Sequence, residues 1–285
     1  MNYKIFTTED LDVKDVYHLM ISGIVPRPIA YVGTSDSKGK HNLAPYSFYN
    51  GFGANPPIVG FSPALSGRTG EPKDTLINIR SVKQFTISLV SYSIVHQMSL
   101  SSSEYSSDID EFVKSGLSKF TCDNNIPAVN KSPFIMECSL FDIIELGNKP
   151  ASGNLILGVV DKIHIDSDVY TDDKIDPVKL DPVSRMGYNY YSRANKGLFT
   201  INKPKGLCVG IDSLPGFIKN SNEFTGNELG KLGSVLEIPS VKDINAYKNS
   251  NIKELYIKCK IALENNQIDY AWEIIHAIDK KLDGK

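Results

Sequence analysis

The chain has 285 residues, 41% of them hydrophobic and 22% charged, with a formal net charge of −2. That length suits one large domain or a domain with an extension, and the near-neutral balance excludes an electrostatic footprint for nucleic acid or an anionic membrane. No run of about 18 apolar residues marks a membrane span, and the acidic start MNYKIFTTEDLD is unlike a signal peptide. Cys122, Cys138, Cys208 and Cys259 form no C-x-x-C pair and read as reduced thiols of a cytoplasmic protein. No two of the five histidines stand at helical ligand spacing; distant residues could still converge on a metal, but nothing in the sequence points to one and no metal site is expected.

In chain order, the spacing predicts a helix over 9–22, capped by Asp10, with Val13, Val16, Tyr17 and Met20 on one face. Pro26 and Pro28 stop it. Ile29–Thr34 reads as a strand, DSKGK as a turn, Asn42–Tyr49 as a second strand, and Ile58–Phe61 as a third after the Asn55-Pro56-Pro57 turn. A short helix is expected over Lys73–Ser81, capped by Asp74 or Thr75 and buried through Leu76 and Ile79. Phe85–Val90 is a buried strand, 94–116 two short helices split by SSSEYSSD, and Phe134–Ile144 and Leu155–Ile165 two long strands around the turn-rich GNKPASGN. Strands of this number and spacing argue for a barrel or sandwich rather than a parallel sheet. The end of the chain changes character. Ile252, Leu255, Tyr256, Cys259, Ala262 and Leu263 make one helical stripe. Ala271, Ile274, Ile275, Ile278 and Leu282, after a cap at Asp269, make another, which together read as a helical hairpin.

Two stretches carry chemistry. NLAPYSFYNGFGANPPIVGFSP, 42–63, sets hydroxyls, aromatics and bent backbone side by side, which suits a heteroaromatic or anionic ligand. The plainer alternative is strand, wide turn and strand with core aromatics. Lys73-Asp74-Thr75 opens a helix, where free N–H groups, a lysine and a hydroxyl favour a phosphate; the alternative is an ordinary helix start with a solvated lysine. Arg68 is a second phosphate-binding group or a surface arginine. No G-x-G-x-x-G at a strand–helix junction, P-loop or G-x-S-x-G elbow occurs.

These stretches also carry a family likeness. VPRPIAYVGT from 25, then 42–63, then KDTLINI resembles the flavin reductase-like family with the FMN-binding split barrel. The likeness continues through FTISLV, MSLSSSEYSSDIDEF, ASGNLILGVV and DPVSRMGYNYYSR and covers about the first two hundred residues; LPGFIKNSNEFTGNELGKLGSV resembles extended members. The resemblance implies a mainly β, β-rich α+β fold: a split β-barrel over 1–204 with peripheral helices, and a C-terminal extension, 205–285, with the hairpin. It implies non-covalent FMN and a homodimer. The ring would lie along Asn42, Ala44, Pro45, Tyr46, Ser47 and Phe48, with the phosphate and ribityl chain at Ser62, Lys73, Asp74 and Thr75 and Arg185 close to the cofactor.

Three positions depart from the family pattern. Glu111 stands where members often carry a lysine, Gly153 where many have a histidine, and Tyr188 where the R-x-G-G turn has its second glycine. The implied activity is flavin-dependent redox chemistry. The protein would be either a flavin reductase drawing on NADH or NADPH or a flavoredoxin-like electron carrier, with a small-molecule or protein redox partner. The alternative is an FMN carrier or sensor without turnover, which Glu111 and the absent histidine favour. An oxidase of a phosphorylated vitamin B6 compound shares the barrel, but its arginine-rich signature is absent.

Overall fold

The computed structural model describes residues 1–204, 206–240 and 245–283. The chain divides into two compact units, Met1–Leu198 and Phe199–Lys285. The first holds α1 (Val13–Gly23), β1 (Ala30–Ser35), β2 (His41–Tyr46), β3 (Tyr49–Ala54), β4 (Pro57–Phe61), α2 (Asp74–Val82) and β5 (Gln84–Leu89). There follow α3 (Val95–Leu100), α4 (Glu111–Ser115), β6 (Lys119–Thr121), β7 (Pro127–Val129), and the long strands β8 (Phe134–Glu145) and β9 (Asn154–Ile165). Short pieces complete it: β10 (Tyr170–Thr171), β11 (Lys174–Ile175), α5 (Pro177–Leu180), β12 (Val183–Arg185) and β13 (Tyr191–Arg193).

Seven strands form one antiparallel sheet in the order β2-β1-β5-β8-β9-β4-β3. The sheet is buried on both faces at β1, and the period of two sorts its residues. Ala30 and Val32 join Phe61, Leu76, Ile79 and Phe85 in the core under α2. Tyr31 and its neighbour Ile29 join Leu43, Ile94, Met98 and Phe112 under α3 and α4. Gly33 is required where β7 crosses β1, because a Cβ there would collide with the Pro127 carbonyl.

Consecutive strands β2 and β3 lie at opposite edges of this sheet, joined only by Ser47 and Phe48. A link that short spans about 10 Å, so the sheet bends far enough to bring the end of β2 and the start of β3 within that distance. The single strand expected over Asn42–Tyr49 is therefore two, because the chain leaves one edge after Tyr46 and enters the other at Tyr49. The glycine-containing segment beyond it continues as strand, with a bulge between Gly51 and Gly53.

Two helix starts in this unit differ from expectation. Asp12, not Asp10, caps α1, accepting the Asp15 N–H at 2.7 Å, while Thr8–Asp10 form a 3-10 turn. Lys73 occupies the cap position of α2 in extended conformation, so Asp74 and Thr75 are its first two helical residues rather than its caps. The apolar stripe of α1 is not covered: Val13, Tyr17 and Met20 are exposed, and in this helix only Ile21 is buried.

The second unit has its own core and is helical. Leu214, Ile218, Leu232, Leu255, Cys259, Trp272, Ile275 and Ile278 pack together, drawn from α6 (Gly216–Lys219), α7 (Gly226–Leu232), α8 (Ile252–Glu264), α9 (Ile268–Asp283) and the chain before α6. Capping boxes Thr225/Glu228 and Asn251/Glu254 start α7 and α8. Asp269 lies in the first turn of α9 rather than at its cap, and Leu282 is exposed. Among the described residues no helix is long and apolar enough to cross a membrane.

Candidate functional site

A cavity of about 580 Å³ opens between edge strand β2, the N-terminus of α2 and the two segments that precede α2 and α4. Its walls are Asn42, Ala44, Pro45 and Tyr46 from β2, Ser66–Thr69 in part, Glu71–Thr75, Ser101–Tyr105 and Glu111. The volume falls within the range of small-molecule sites.

The helix end is prepared for an anion. Lys73 gives α2 no side-chain cap, and among the described residues the N–H groups of Asp74 and Thr75 have no hydrogen-bond partner. Orphan donors at a helix start carry the positive end of the helix dipole. The Lys73 ammonium stands 3.9 Å from Glu104, which also pairs with Arg68. All three are exposed, and pairs of this kind are worth about 0–1 kcal/mol. An incoming dianion thus has two cations to recruit by displacing one carboxylate.

Behind the helix start lies a buried polar network. The Tyr46 hydroxyl donates to Thr75 Oγ1 at 2.9 Å, and Asn42 Nδ2 donates to the same oxygen at 3.0 Å and to Thr34 Oγ1 at 3.3 Å. Asn78 Nδ2 donates to Thr34 Oγ1 at 3.1 Å. Thr75 and Thr34 are buried, so their hydroxyls serve as acceptors that tie α2 to β1 and β2. The network turns the Asn42 amide so that, among the described residues, its Oδ1 has no protein partner. Burial pushes the Tyr46 phenol well above its ordinary value, the Thr75 hydrogen bond offsetting only part of this. Tyr46 therefore stays a neutral donor.

Glu111 closes the wall. The residue is 8% exposed, and its carboxylate accepts the Leu43 N–H at 3.1 Å. Burial raises its pKa; the Leu43 N–H works the other way, and Asp74 and Asp110 add to the rise.

Of the residues singled out from the sequence, Asn42, Ala44, Pro45, Tyr46, Lys73, Asp74 and Thr75 line this cavity together. Ser47, Phe48, Ser62 and Arg185 do not. Ser47 Oγ accepts from Arg27 Nε at 3.4 Å, and Phe48 lies under the Arg27 guanidinium. Arg27 is buried and anchors the corner, donating to the Ile21 and Ile24 carbonyls at 2.5 and 2.7 Å. Arg185 exchanges backbone hydrogen bonds with Arg27 and turns its side chain to the Tyr188 carbonyl, 2.9 Å away, and the Tyr191 ring. The Ser62 N–H donates to the Phe48 carbonyl, and a Cβ at Gly153 would stand 2.8 Å from Ser62 Oγ. The cavity walls at Ser66, Thr69 and Ser101–Tyr105 were not among the sequence candidates, although the serine run belongs to a family-like block.

The sequence profile of the flavin reductase like domain matches residues 22–191, more than half of the chain. The chain belongs to that family. The match encloses every residue of the cavity and ends before the second unit. An uncharacterized protein of Halalkalibacterium halodurans is 32% identical over 200 residues, 69% of this chain and 94% of the relative. Among solved structures, nitrilotriacetate monooxygenase component B from Bacillus cereus is 26% identical with a TM-score of 0.65, covering 71% of this chain and 100% of its own. The 2-nitrobenzoate 2-nitroreductase of Pseudomonas fluorescens is 26% identical with a TM-score of 0.62, covering 72% and 98%. These flavin reductase-like relatives are thus about as long as the first unit alone.

Proposed function

We propose that the first unit is a split barrel that holds FMN non-covalently in the β2–α2 cavity, and that the protein is a flavin-dependent oxidoreductase. The observation that carries this reading is the uncapped start of α2, with two free N–H groups beside Lys73 and Arg68 at a cavity sized for a small molecule. That donor set suits a terminal phosphate dianion. Relatives named as a monooxygenase component and a nitroreductase support redox chemistry for the same fold.

When bound, FMN supplies the redox step, accepting a hydride or electrons from NADH, NADPH or another donor and passing them on. The chain's own residues position and shield. Asp74 and Thr75 N–H groups and the Lys73 and Arg68 side chains neutralise the phosphate. Thr75 fixes Tyr46 and Asn42, which offer a neutral hydroxyl edge and an amide oxygen along β2. Ser101–Tyr105 form the opposite wall. Ser47, Phe48, Ser62 and Arg185 are not part of this proposed contact set.

Glu111 favours a second reading, a carrier or sensor without turnover, because a carboxylate on the wall opposes build-up of negative charge in the cavity. An absorbance spectrum separates the readings. Purified protein is expected to be yellow or to take up added FMN, and a colourless protein that ignores FMN overturns the proposal. Bleaching by NADH or NADPH marks the reductase; an unchanged spectrum at saturating nicotinamide leaves the carrier.

We further infer a homodimer in the cytoplasm. Exposed Val13, Tyr17 and Met20 on α1, with Phe52 and Phe141 on the sheet, leave apolar surface that a second copy would cover. The free cysteines fit a reducing compartment. Sedimentation showing a monomer at micromolar concentration would overturn the dimer.

A further inference from the structure

Three donor groups meet well apart from the cavity. Cys122 follows β6 at the start of the turn to β7, Glu137 lies on β8 and His164 on β9. One ligand atom of each falls within 4.8 Å of the other two. The β8–β9 register sets His164 opposite Ile135, so Glu137 is its diagonal neighbour, within reach of a ring and a carboxylate. The β6–β7 hairpin then lays Cys122 over both.

The arrangement is built and held. His164 Nε2 stands 2.6 Å from Glu137 Oε1. The carboxylate is aimed by two backbone donors, Asn124 N–H to Oε2 at 2.8 Å and Asp123 N–H to Oε1 at 3.2 Å. Cys122 and Glu137 are each 2% exposed, and among the described residues the Cys122 thiol makes no hydrogen bond. His164 is partly exposed and offers the way in from solvent.

The chemistry of the set is that of a transition-metal centre. A carboxylate within ligand distance of a buried thiol that makes no hydrogen bond among the described residues is a costly pairing by itself. The same carboxylate and a thiolate together neutralise a divalent cation. Sulfur and imidazole donors disfavour Ca²⁺ and Mg²⁺, which take oxygen, and suit Zn²⁺. Donors around a tetrahedral Zn²⁺ stand roughly 3.3–3.7 Å apart, and the present separations, from 2.6 Å to under 4.8 Å, bracket that range.

We propose that Cys122, Glu137 and His164 bind one divalent transition-metal ion of the Zn²⁺ class, clamping the β6–β7 hairpin to the β8–β9 pair. The ion takes the place between His164 Nε2 and Glu137, with His164 ligating through Nε2 as the neutral imidazole that keeps its hydrogen on Nδ1, and the Cys122 thiol gives up its proton to solvent as the sulfur–metal bond forms. Three protein donors leave a fourth position for water on the exposed side of His164. The site is independent of the flavin reading. Leu43, Gly33, Thr86 and Glu137 stand in register across four strands, which puts Glu137 about 14 Å from the cavity strand β2.

Co²⁺ titration of the full-length protein tests this, after chelator treatment and with a reductant that is not a thiol, read as difference spectra against the same sample without metal. The expected result is a thiolate-to-cobalt charge-transfer band saturating at one equivalent per chain and abolished by Zn²⁺. Cys122→Ser should remove the band, His164→Gln should weaken Co²⁺ binding by about tenfold or more, and Cys208→Ser should change neither. The absence of the band at saturating Co²⁺, or its survival in Cys122→Ser, overturns the proposal. Where Cys122→Ser fails to fold, His164→Gln decides, and unchanged Co²⁺ affinity in that variant overturns it equally.

Discussion

Glu111 and Glu137 are both buried in the first unit, on the cavity wall and between the long strands respectively, and their surroundings drive them in opposite directions. Burial works to raise both. At Glu137 the His164 hydrogen bond and the Asn124 and Asp123 N–H groups outweigh it and hold the carboxyl below its ordinary value. At Glu111 burial prevails over the Leu43 N–H, aided by Asp74 and Asp110. Full satisfaction makes one carboxylate part of the framework. Partial satisfaction leaves the other facing a cavity with its charge uncompensated, as a group at a ligand site can be.

The framework end should break first. Glu137→Leu leaves two backbone N–H groups and the His164 ring without their acceptor, and should cost about 3 kcal/mol or more in urea unfolding. A loss under about 1 kcal/mol would mean that the network does not hold β8. Thr75→Val removes the acceptor shared by Tyr46 and Asn42 at nearly constant volume. It should cost about 1–3 kcal/mol and weaken FMN binding in a fluorescence titration. Unchanged FMN affinity would mean that the Tyr46 and Asn42 edge held by Thr75 does not bear on the cofactor.

Glu111→Gln sharpens the comparison through pH. A carboxyl whose folded pKa is raised contributes stability that is fully present below the ordinary 4.5 and is lost as pH rises through the folded value. The amide keeps an acceptor for the Leu43 N–H and carries no charge. The variant should match the wild type near pH 4 and exceed its stability at pH 8, with tighter FMN binding at the higher pH. Parallel pH–stability curves would refute the assignment. The smallest change in stability is expected for Glu104→Ala. This exposed carboxylate should matter to stability by less than about 0.5 kcal/mol, yet its removal frees Arg68 and Lys73 and should tighten FMN a few-fold.

Much of the first unit was legible from short-range signals. Buried strands at Ile29–Thr34 and Phe85–Val90 and the long pair before and after GNKPASGN follow from runs of β-branched and aromatic residues between turn formers, and the helix at 73–81 from its capping residues and the spacing of Leu76 and Ile79. The two C-terminal helices follow from their stripes. Helix caps fall one or two residues from where the sequence suggests because Asp10, Asp12, Asp74 and Thr75 all carry capping chemistry and only backbone geometry chooses among them. The sequence over 42–49 reads as one strand because nothing local distinguishes a continuous strand from one that changes edges at Ser47 and Phe48.

The sequence alone determined the candidates for the site: β2 with its hydroxyls and aromatics, and a helix start with lysine and threonine, both carried by residues close together along the chain. Only the tertiary structure decided which of them share a cavity. Packing of α2 and α4 against β1 and β2 brings Thr75 to Asn42 and Glu111 to Leu43, while the turn of the chain out of β2 carries Ser47 and Phe48 to other places, as backbone pairing with Phe48 and Arg27 does Ser62 and Arg185. Long-range strand pairing gathers Cys122, Glu137 and His164, which stand fifteen and twenty-seven positions apart. No local spacing encodes that meeting, because the register of β8 with β9 and the fold of the β6–β7 hairpin set it.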